Sequence, residues 1–234
     1  MVRPGGDLAA GALLVVIVSA ASCLILGVPT SCVAHTVVLY ALMALPLLRR
    51  MPAVQPGQGI GAANRVTLVR SILVLPVAAL TLQPGVLMLE RTSWWIISLG
   101  TVALLLDGTD GRVARRTGTT SAFGARFDME LDAFFLLALS VLVWQSGKVG
   151  SWVIMIGALR YLFVVCGMFW MTLKGELPPC ERRRLVCAGE GIALLVCLGP
   201  TIPVSVAGVV AVGALAVLVY SFAVDVRWLV SNAR

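Results

Sequence analysis

Residues 107–132 read DGTDGRVARRTGTTSAFGARFDMELD, and this stretch holds four aspartates: Asp107, Asp110, Asp128 and Asp132. The whole chain has six aspartates, so most of them fall in one short window that borders apolar runs. A carboxylate beside a membrane segment is costly to hold unpaired and is a functional candidate by default. Four carboxylates together concentrate negative charge, which indicates a site for divalent cations.

The rest of the chain is strongly apolar. Apolar residues make up 59% of the 234 residues, charged residues make up 12%, and the mean hydropathy is +0.99. A soluble domain carries roughly 25% charged residues, so this composition predicts an all-α, polytopic membrane protein. A helix needs about 20 residues to cross the hydrocarbon core. Eight apolar segments reach or approach that length, at residues 9–28, 33–48, 66–82, 93–112, 127–145, 150–171, 184–198 and 202–224.

The basic residues are distributed unevenly along these segments. If the N-terminus lies in the cytoplasm, 15 of the 18 Lys and Arg residues fall at or near the cytoplasmic face, as the positive-inside rule expects. Topology and attraction to anionic lipid headgroups then account for the net charge of +7. The sequence has no basic patch interleaved with aromatic residues, so we expect no nucleic-acid partner. We expect an integral protein of a bacterial inner membrane, with the aspartates facing the cytoplasm.

The spacing of the aspartates determines which carboxylates can meet. Asp107 and Asp110 are three residues apart at the end of the fourth segment, and Asp128 and Asp132 are four apart at the start of the fifth. Both spacings put side chains on one helix face, and the short turn between the segments predicts antiparallel neighbours. Converging carboxylates need cations, and oxygen ligands favour Mg²⁺, Mn²⁺ or Ca²⁺. Two ions could clamp a phosphoryl group while one aspartate serves as a general base.

These residues resemble the signature of a known family. The frame Asp107-x2-Asp110-Gly111-x2-Ala114-Arg115-x8-Gly124-x3-Asp128-x3-Asp132 matches that of the CDP-alcohol phosphatidyltransferases at every fixed position. The frame covers about a ninth of the chain, and the resemblance extends more loosely over the third to eighth segments, because the family core has six transmembrane helices. The preceding Asn64-x2-Thr67-x2-Arg70 also resembles the family.

The resemblance implies a fold and a reaction. The resemblance implies a six-helix membrane core at residues 64–234. The first two apolar segments lie outside that core and predict an added two-helix hairpin at residues 1–50, with a linker at 51–63, so the whole bundle would have about eight transmembrane helices. The reaction would transfer a phosphatidyl group from CDP-diacylglycerol to the hydroxyl of a small polar acceptor, release CMP and serve phospholipid biosynthesis. Dimers are common in the family, so the resemblance implies a homodimer. Membrane lipids are the other expected partners.

The resemblance also implies roles for individual residues. Two Mg²⁺ or Mn²⁺ ions would be held by Asp107, Asp110, Asp128 and Asp132, with Asp132 also acting as the catalytic base. The CDP-linked lipid would contact six further positions: Gly111, Ala114, Arg115, Asn64, Thr67 and Gly124.

The acceptor is left open among glycerol 3-phosphate, an inositol phosphate and serine. The abundance of arginine near the aspartates favours a phosphorylated acceptor, and Arg126, Arg160 and Arg183 are the candidates to bind it. Arg160 lies within an apolar segment, where an arginine is expensive, so it could bind the acceptor or pair internally with Glu190 or Glu130. For Arg183, ordinary positive-inside anchoring is the favoured interpretation.

Three other interpretations of the aspartates compete with this one. A membrane prenyltransferase would show two separated Asp-rich clusters, and a divalent-cation carrier would place acids deep within several helices. The sequence has one compact frame at one predicted face. The remaining interpretation is interfacial salt bridges from the aspartates to Arg112, Arg115, Arg116 and Arg126.

Overall fold

The computed structural model describes residues 4–50, 62–83, 85–117, 122–170 and 180–232, and all regular structure in these ranges is helical. Most of the predicted linker therefore lies outside the described residues. Two short 3-10 helices, Val86–Met88 and Ser151–Val153, precede the fourth and sixth α-helices. The eight α-helices of these ranges are α1 (Pro4–Leu26), α2 (Ser31–Arg50), α3 (Ala62–Leu80), α4 (Glu90–Thr117), α5 (Ala122–Gln145), α6 (Ile154–Phe169), α7 (Glu181–Leu198) and α8 (Val204–Asn232). The all-α prediction is confirmed for this part of the chain.

Apolar helices give the chain the character of an integral membrane protein. Three stretches among the described residues have the length and composition to cross a membrane: Gly5–Leu26, Ser151–Phe169 and Val204–Asn232. Large apolar side chains on them face outward, and Leu24 and Val209 are 85% and 73% exposed. Such broad apolar exposure suits contact with lipid rather than water. The count of eight membrane-spanning helices stays a prediction.

After two of the helices, a glycine adopts the left-handed backbone conformation. Gly27 has φ 68° directly after α1, and its amide donates to the carbonyl of Cys23 at 2.8 Å. Gly147 has φ 72° shortly after α5, and its amide donates to the carbonyl of Trp144 at 3.0 Å. A side chain would strain the backbone at both positions, which is why glycine commonly ends a helix in this way.

The chain forms two compact units, one over Met1–Asp132 and the other over Ala133–Arg234. In the first unit, α3 packs against α1, α2 and α4 and is the central helix. Its second half is buried on all sides, as the burial of Val74, Leu75, Val77 and Leu80 shows. A helix that is apolar all round belongs in the interior of a bundle.

Helices α1 and α2 pack against each other as a helical hairpin, and polar contacts join them. The predicted domain bounds stay a prediction. Ser19 Oγ and Thr36 Oγ1 lie 2.9 Å apart, and both side chains are fully buried. The Tyr40 hydroxyl donates to the carbonyl of Leu8 at 2.6 Å. Buried hydroxyl contacts of this kind help to hold membrane helices together.

The hairpin also contacts the helices that follow it. At the start of α1, Asp7 Oδ2 lies 3.2 Å from Arg65 Nε at the start of α3. At the other end of α1, Arg91 of α4 donates to the carbonyl of Leu26 at 2.9 Å. Trp95 Nε1 of α4 donates to Ser22 Oγ at 3.0 Å. Within this unit α1 and α3 therefore run in the same direction, and α4 runs in the opposite direction.

In the second unit, α7 packs along α8, and the C-terminal part of α5 contacts α6. Leu194 and Cys197 of α7 are fully buried, as are Ala207 and Ala211 of α8. Helix α6 approaches α5 at a glycine: a Cβ added to Gly157 would lie 2.2 Å from the Cα of Leu137. Small residues at such crossings allow the backbones of membrane helices to approach closely.

Candidate active site

Three of the four predicted aspartates converge in the first unit. One ligand oxygen from each of Asp107, Asp128 and Asp132 lies within 4.8 Å of the others. We call this cluster the acid triad. The three side chains are 17%, 31% and 23% exposed, so they are half-buried and remain open to a ligand.

An arginine from α3 occupies the middle of the acid triad. Arg70 Nη1 lies 3.0 Å from Asp107 Oδ1 and also contacts Asp128 Oδ1. Arg70 Nη2 contacts Asp132 Oδ1. The arginine side chain is only 1% exposed. A buried charge of this kind is tolerated because carboxylates surround it.

Helix geometry explains why these residues meet. Asp128 and Asp132 are one turn apart at the start of α5, so both side chains leave the same face. Asp107 lies on α4, and Arg70 lies in the first half of α3. Because α3 and α4 run in opposite directions and pack together, the start of one helix lies beside the later part of the other.

The face of α3 that carries Arg70 is polar and buried. Asn64, Thr67 and Arg70 follow one another at intervals of three residues and are 3%, 2% and 1% exposed. Arg65 is exposed, and Val69 is 46% exposed on the other side of the helix. Asn64 and Thr67 thus share a helix face with the arginine of the triad, and their predicted contact with the CDP-linked lipid stays a prediction.

The remaining motif positions are only partly described. Asp110, Gly111, Ala114 and Arg115 lie in α4, but their side chains are outside the described residues. Gly124 is half-buried in the first turn of α5. The roles predicted for these five positions in metal and CDP-lipid binding stay predictions.

The charge balance of the site favours a cation. When its three carboxylates are ionised, the acid triad carries three negative charges, and Arg70 brings one positive charge to it. A divalent cation binds oxygens at about 2.0–2.6 Å, so oxygens on a single ion lie at most about 4–5 Å apart. The spacing within the acid triad, 4.8 Å or less, is in that range. Asp107, Asp128 and Asp132 therefore fit a divalent metal, and hard oxygen ligands favour Mg²⁺, Mn²⁺ or Ca²⁺.

Arg70 is the site residue whose role sequence reasoning missed. The sequence groups it with Asn64 and Thr67 in a family-like opening, and otherwise it counts among the cytoplasmic basic residues. The salt-bridge partners expected for the aspartates are other arginines, and of these only the exposed Arg126 has a described side chain. The spacing of three residues from Thr67 is the available signal, because it places Arg70 on the same helix face.

The predicted acceptor-binding arginines belong to different compact units. Arg126 is exposed on α5, in the first unit. Arg160 of α6 and Arg183 of α7 are half-buried and belong to the second unit. Arg183 Nη1 lies 3.4 Å from Asp225 Oδ1 of α8. The role of the three arginines in binding the acceptor stays a prediction.

Known proteins show similarity to the region that holds this site. The family model described as CDP-alcohol phosphatidyltransferase matches residues 60–229, which is well over half of the chain. The chain therefore belongs to the CDP-alcohol phosphatidyltransferase family. Because the chain belongs to this enzyme family, it is not assigned to the prenyltransferases or to the divalent-cation carriers.

Two curated relatives are similar over a shorter stretch. Both are called CDP-diacylglycerol–serine O-phosphatidyltransferase and come from Helicobacter pylori, strains ATCC 700392 / 26695 and J99 / ATCC 700824. The chain is 37% and 38% identical to them over 80 residues, which is 32% of this chain and 30% of each relative. The match thus spans less than a third of their length. No solved structure matches the chain.

Proposed function

We propose that this protein is a metal-dependent phosphatidyltransferase that moves a phosphatidyl group from CDP-diacylglycerol to the hydroxyl of a small polar acceptor. The observation that carries the proposal is the acid triad, which a member of this family presents from two helices of one compact unit. A divalent metal would neutralise the diphosphate of the donor and the oxygen that leaves with CMP.

The roles of the protein side chains follow from their positions. Asp107 and Asp128 would hold the metal together with Asp110, and Asp132 would act as the general base and also contact the metal. As the acceptor hydroxyl loses its proton to Asp132, its oxygen attacks the lipid-side phosphorus. The bond from that phosphorus to the CMP oxygen breaks, and CMP leaves with the electron pair.

The donor and the acceptor would use different side chains. Asn64 and Thr67, beside Arg70 on the buried face of α3, would contact the CDP-linked lipid with Gly111, Ala114, Arg115 and Gly124. Arg126, Arg160 and Arg183 are the candidates to bind the acceptor. Serine is the first acceptor to test, because both curated relatives carry serine in their names. Glycerol 3-phosphate and an inositol phosphate remain candidates.

CMP release tests the proposal directly. The purified protein in detergent is incubated with CDP-diacylglycerol and each acceptor in turn, with Mg²⁺, with Mn²⁺ or with a chelator. We expect one acceptor to give CMP and the matching phospholipid, and the chelator to abolish both. Absence of CMP with all three acceptors would contradict the proposed reaction. Undiminished CMP release in the chelator would contradict its dependence on metal.

The location of the site belongs to the same proposal. We place it at the cytoplasmic side of a bacterial inner membrane. The support is that Asp7 joins the start of α1 to the start of α3, so the start of α1 and the acid triad lie at one end of the first unit. A reporter that works only in the cytoplasm, fused to the N-terminus, is expected to be active. Activity of a periplasmic reporter at that position would contradict the orientation.

A further inference from the structure

Arg70 stands out among the buried residues of the described chain. Its side chain is among the largest that are fully buried, and its guanidinium touches carboxylates from both α4 and α5. Removing a charged group from water is expensive unless partners compensate it. Here the partners outnumber it, so the acid triad satisfies the charge of Arg70 while Arg70 offsets only part of the charge of the triad.

The guanidinium contacts the same three carboxylates that a metal would bind. Nη1 is shared between Asp107 and Asp128, and Nη2 contacts Asp132. Each contact uses the Oδ1 atom of its carboxylate, so one oxygen of every acid in the triad is already engaged. A divalent cation bound by the same three carboxylates would lie within a few ångströms of the guanidinium. Two cations at that distance repel each other strongly inside a protein.

We propose that Arg70 is the built-in counter-cation of the acid triad: it holds the three carboxylates together without metal and must withdraw from at least part of the triad when a divalent cation binds. This inference rests on the proposed metal-dependent function. Arg70 is a positioning residue in this account. Its flexible side chain allows the withdrawal, while α3, α4 and the start of α5 keep their places.

The proposal makes opposite predictions for metal binding and for stability. Without Arg70, a cation no longer competes for the carboxylates, so metal should bind more tightly. Without both Arg70 and metal, the three carboxylates repel one another, so the metal-free protein should be less stable. A residue that merely helps to shape a metal site would weaken metal binding when it is removed.

The experiment measures Mn²⁺ binding to the full chain in detergent without substrate, by electron paramagnetic resonance of the free ion. We expect Arg70→Gln to lower the dissociation constant by about tenfold or more, since a full positive charge leaves the site. Thermal unfolding of the same samples should show a lower melting temperature without metal and a larger rise on adding Mn²⁺.

Two further variants control the experiment. Arg65→Gln removes the same charge from the same helix, but its side chain is 45% exposed and pairs with Asp7, so Mn²⁺ affinity should stay at the wild-type value. Arg70→Lys keeps a positive charge but lacks the fork of a guanidinium. Its dissociation constant should fall between those of the wild type and Arg70→Gln, and this variant decides the matter if Arg70→Gln does not fold.

The outcomes separate this inference from the function on which it rests. Wild-type Mn²⁺ affinity in the Arg70 variants, or weaker binding than wild type, would overturn the counter-cation role and leave the metal-dependent reaction intact. If neither the wild type nor the Arg70 variants bind Mn²⁺, both the counter-cation role and the metal-dependent reaction are overturned. Tighter binding in Arg70→Gln and Arg70→Lys, with Arg65→Gln unchanged, supports the proposal.

Discussion

The two compact units each hold an arginine–aspartate cluster, and the ratio of arginine to aspartate is reversed between the two clusters. In the first unit, Arg70 contacts three carboxylates. In the second unit, the carboxylate of Asp225 on α8 contacts both Arg182 and Arg183 of α7. Among the described residues, the same two kinds of side chain thus leave an excess of negative charge in the first cluster and an excess of positive charge in the second.

The difference shows how the ratio of acidic to basic side chains distinguishes a cation-binding site from a salt bridge that only joins two helices. Arg182 also donates to Ser221 of α8, at 2.8 Å to its carbonyl and 3.0 Å to its hydroxyl. Asp225 is only 7% exposed. This cluster therefore ties α7 to α8 and calls for no metal ion. The acid triad does call for one, and the comparison can be tested by making the same change in both places.

The largest expected effect comes from Asp132→Asn. An amide cannot take the proton of the acceptor hydroxyl, and loss of a general base lowers a rate by about 10²–10⁴-fold. We expect CMP release to fall by that factor while thermal unfolding still shows a folded protein, because Arg70 keeps Asp107 and Asp128 as partners. The assay is initial-rate CMP release at saturating metal. A rate within about threefold of wild type would show that Asp132 is not the base.

A moderate effect is expected from Asp225→Asn, which is the matched change in the other cluster. Two arginines would then lose their carboxylate partner. Breaking a buried pair costs about 3–5 kcal/mol, but the arginines are 28% and 29% exposed, so we expect about 1–3 kcal/mol here. Thermal unfolding in detergent measures the loss. Mn²⁺ affinity should not change, and a large change in it would remove the distinction between the clusters.

The smallest effect is expected from Asp7→Asn, which breaks an ion pair at the edge of the first unit. Arg65 is 45% exposed in this pair, and exposed pairs contribute about 0–1 kcal/mol. A small decrease in melting temperature is therefore expected, with unchanged CMP release. A decrease as large as that of Asp225→Asn would show that this contact is protected from water to a greater extent than its exposure indicates.

Local spacing predicted much of the candidate site. Asp128 and Asp132 meet because four residues make about one helical turn, and that relation can be calculated without a structure. The apolar segments likewise predicted helices, because a membrane helix must satisfy its backbone hydrogen bonds within itself. For Asp107, the short connection to α5 was enough to predict an antiparallel neighbour.

Long-range pairing could not be predicted in the same way. Arg70 is 62 residues from Asp132, and Arg182 is 43 residues from Asp225. Sequence shows that each arginine is costly to bury, but not which helix lies against it. Arg183 has two open interpretations in the sequence for the same reason. The packing of α3 against α4, and of α7 against α8, supplies the missing information.

The N-terminal hairpin has a practical consequence for shortened versions of this protein. Similarity to the family begins at residue 60, so a cut there would look natural to an engineer who wants a minimal enzyme. Such a cut would remove the hydrogen-bond acceptors on α1 that Arg91 and Trp95 use. It would also expose Leu68, which packs beside Gly11. The family match therefore leaves out two of the helices that pack together in the first unit, and a shortened version of the protein should keep α1 and α2.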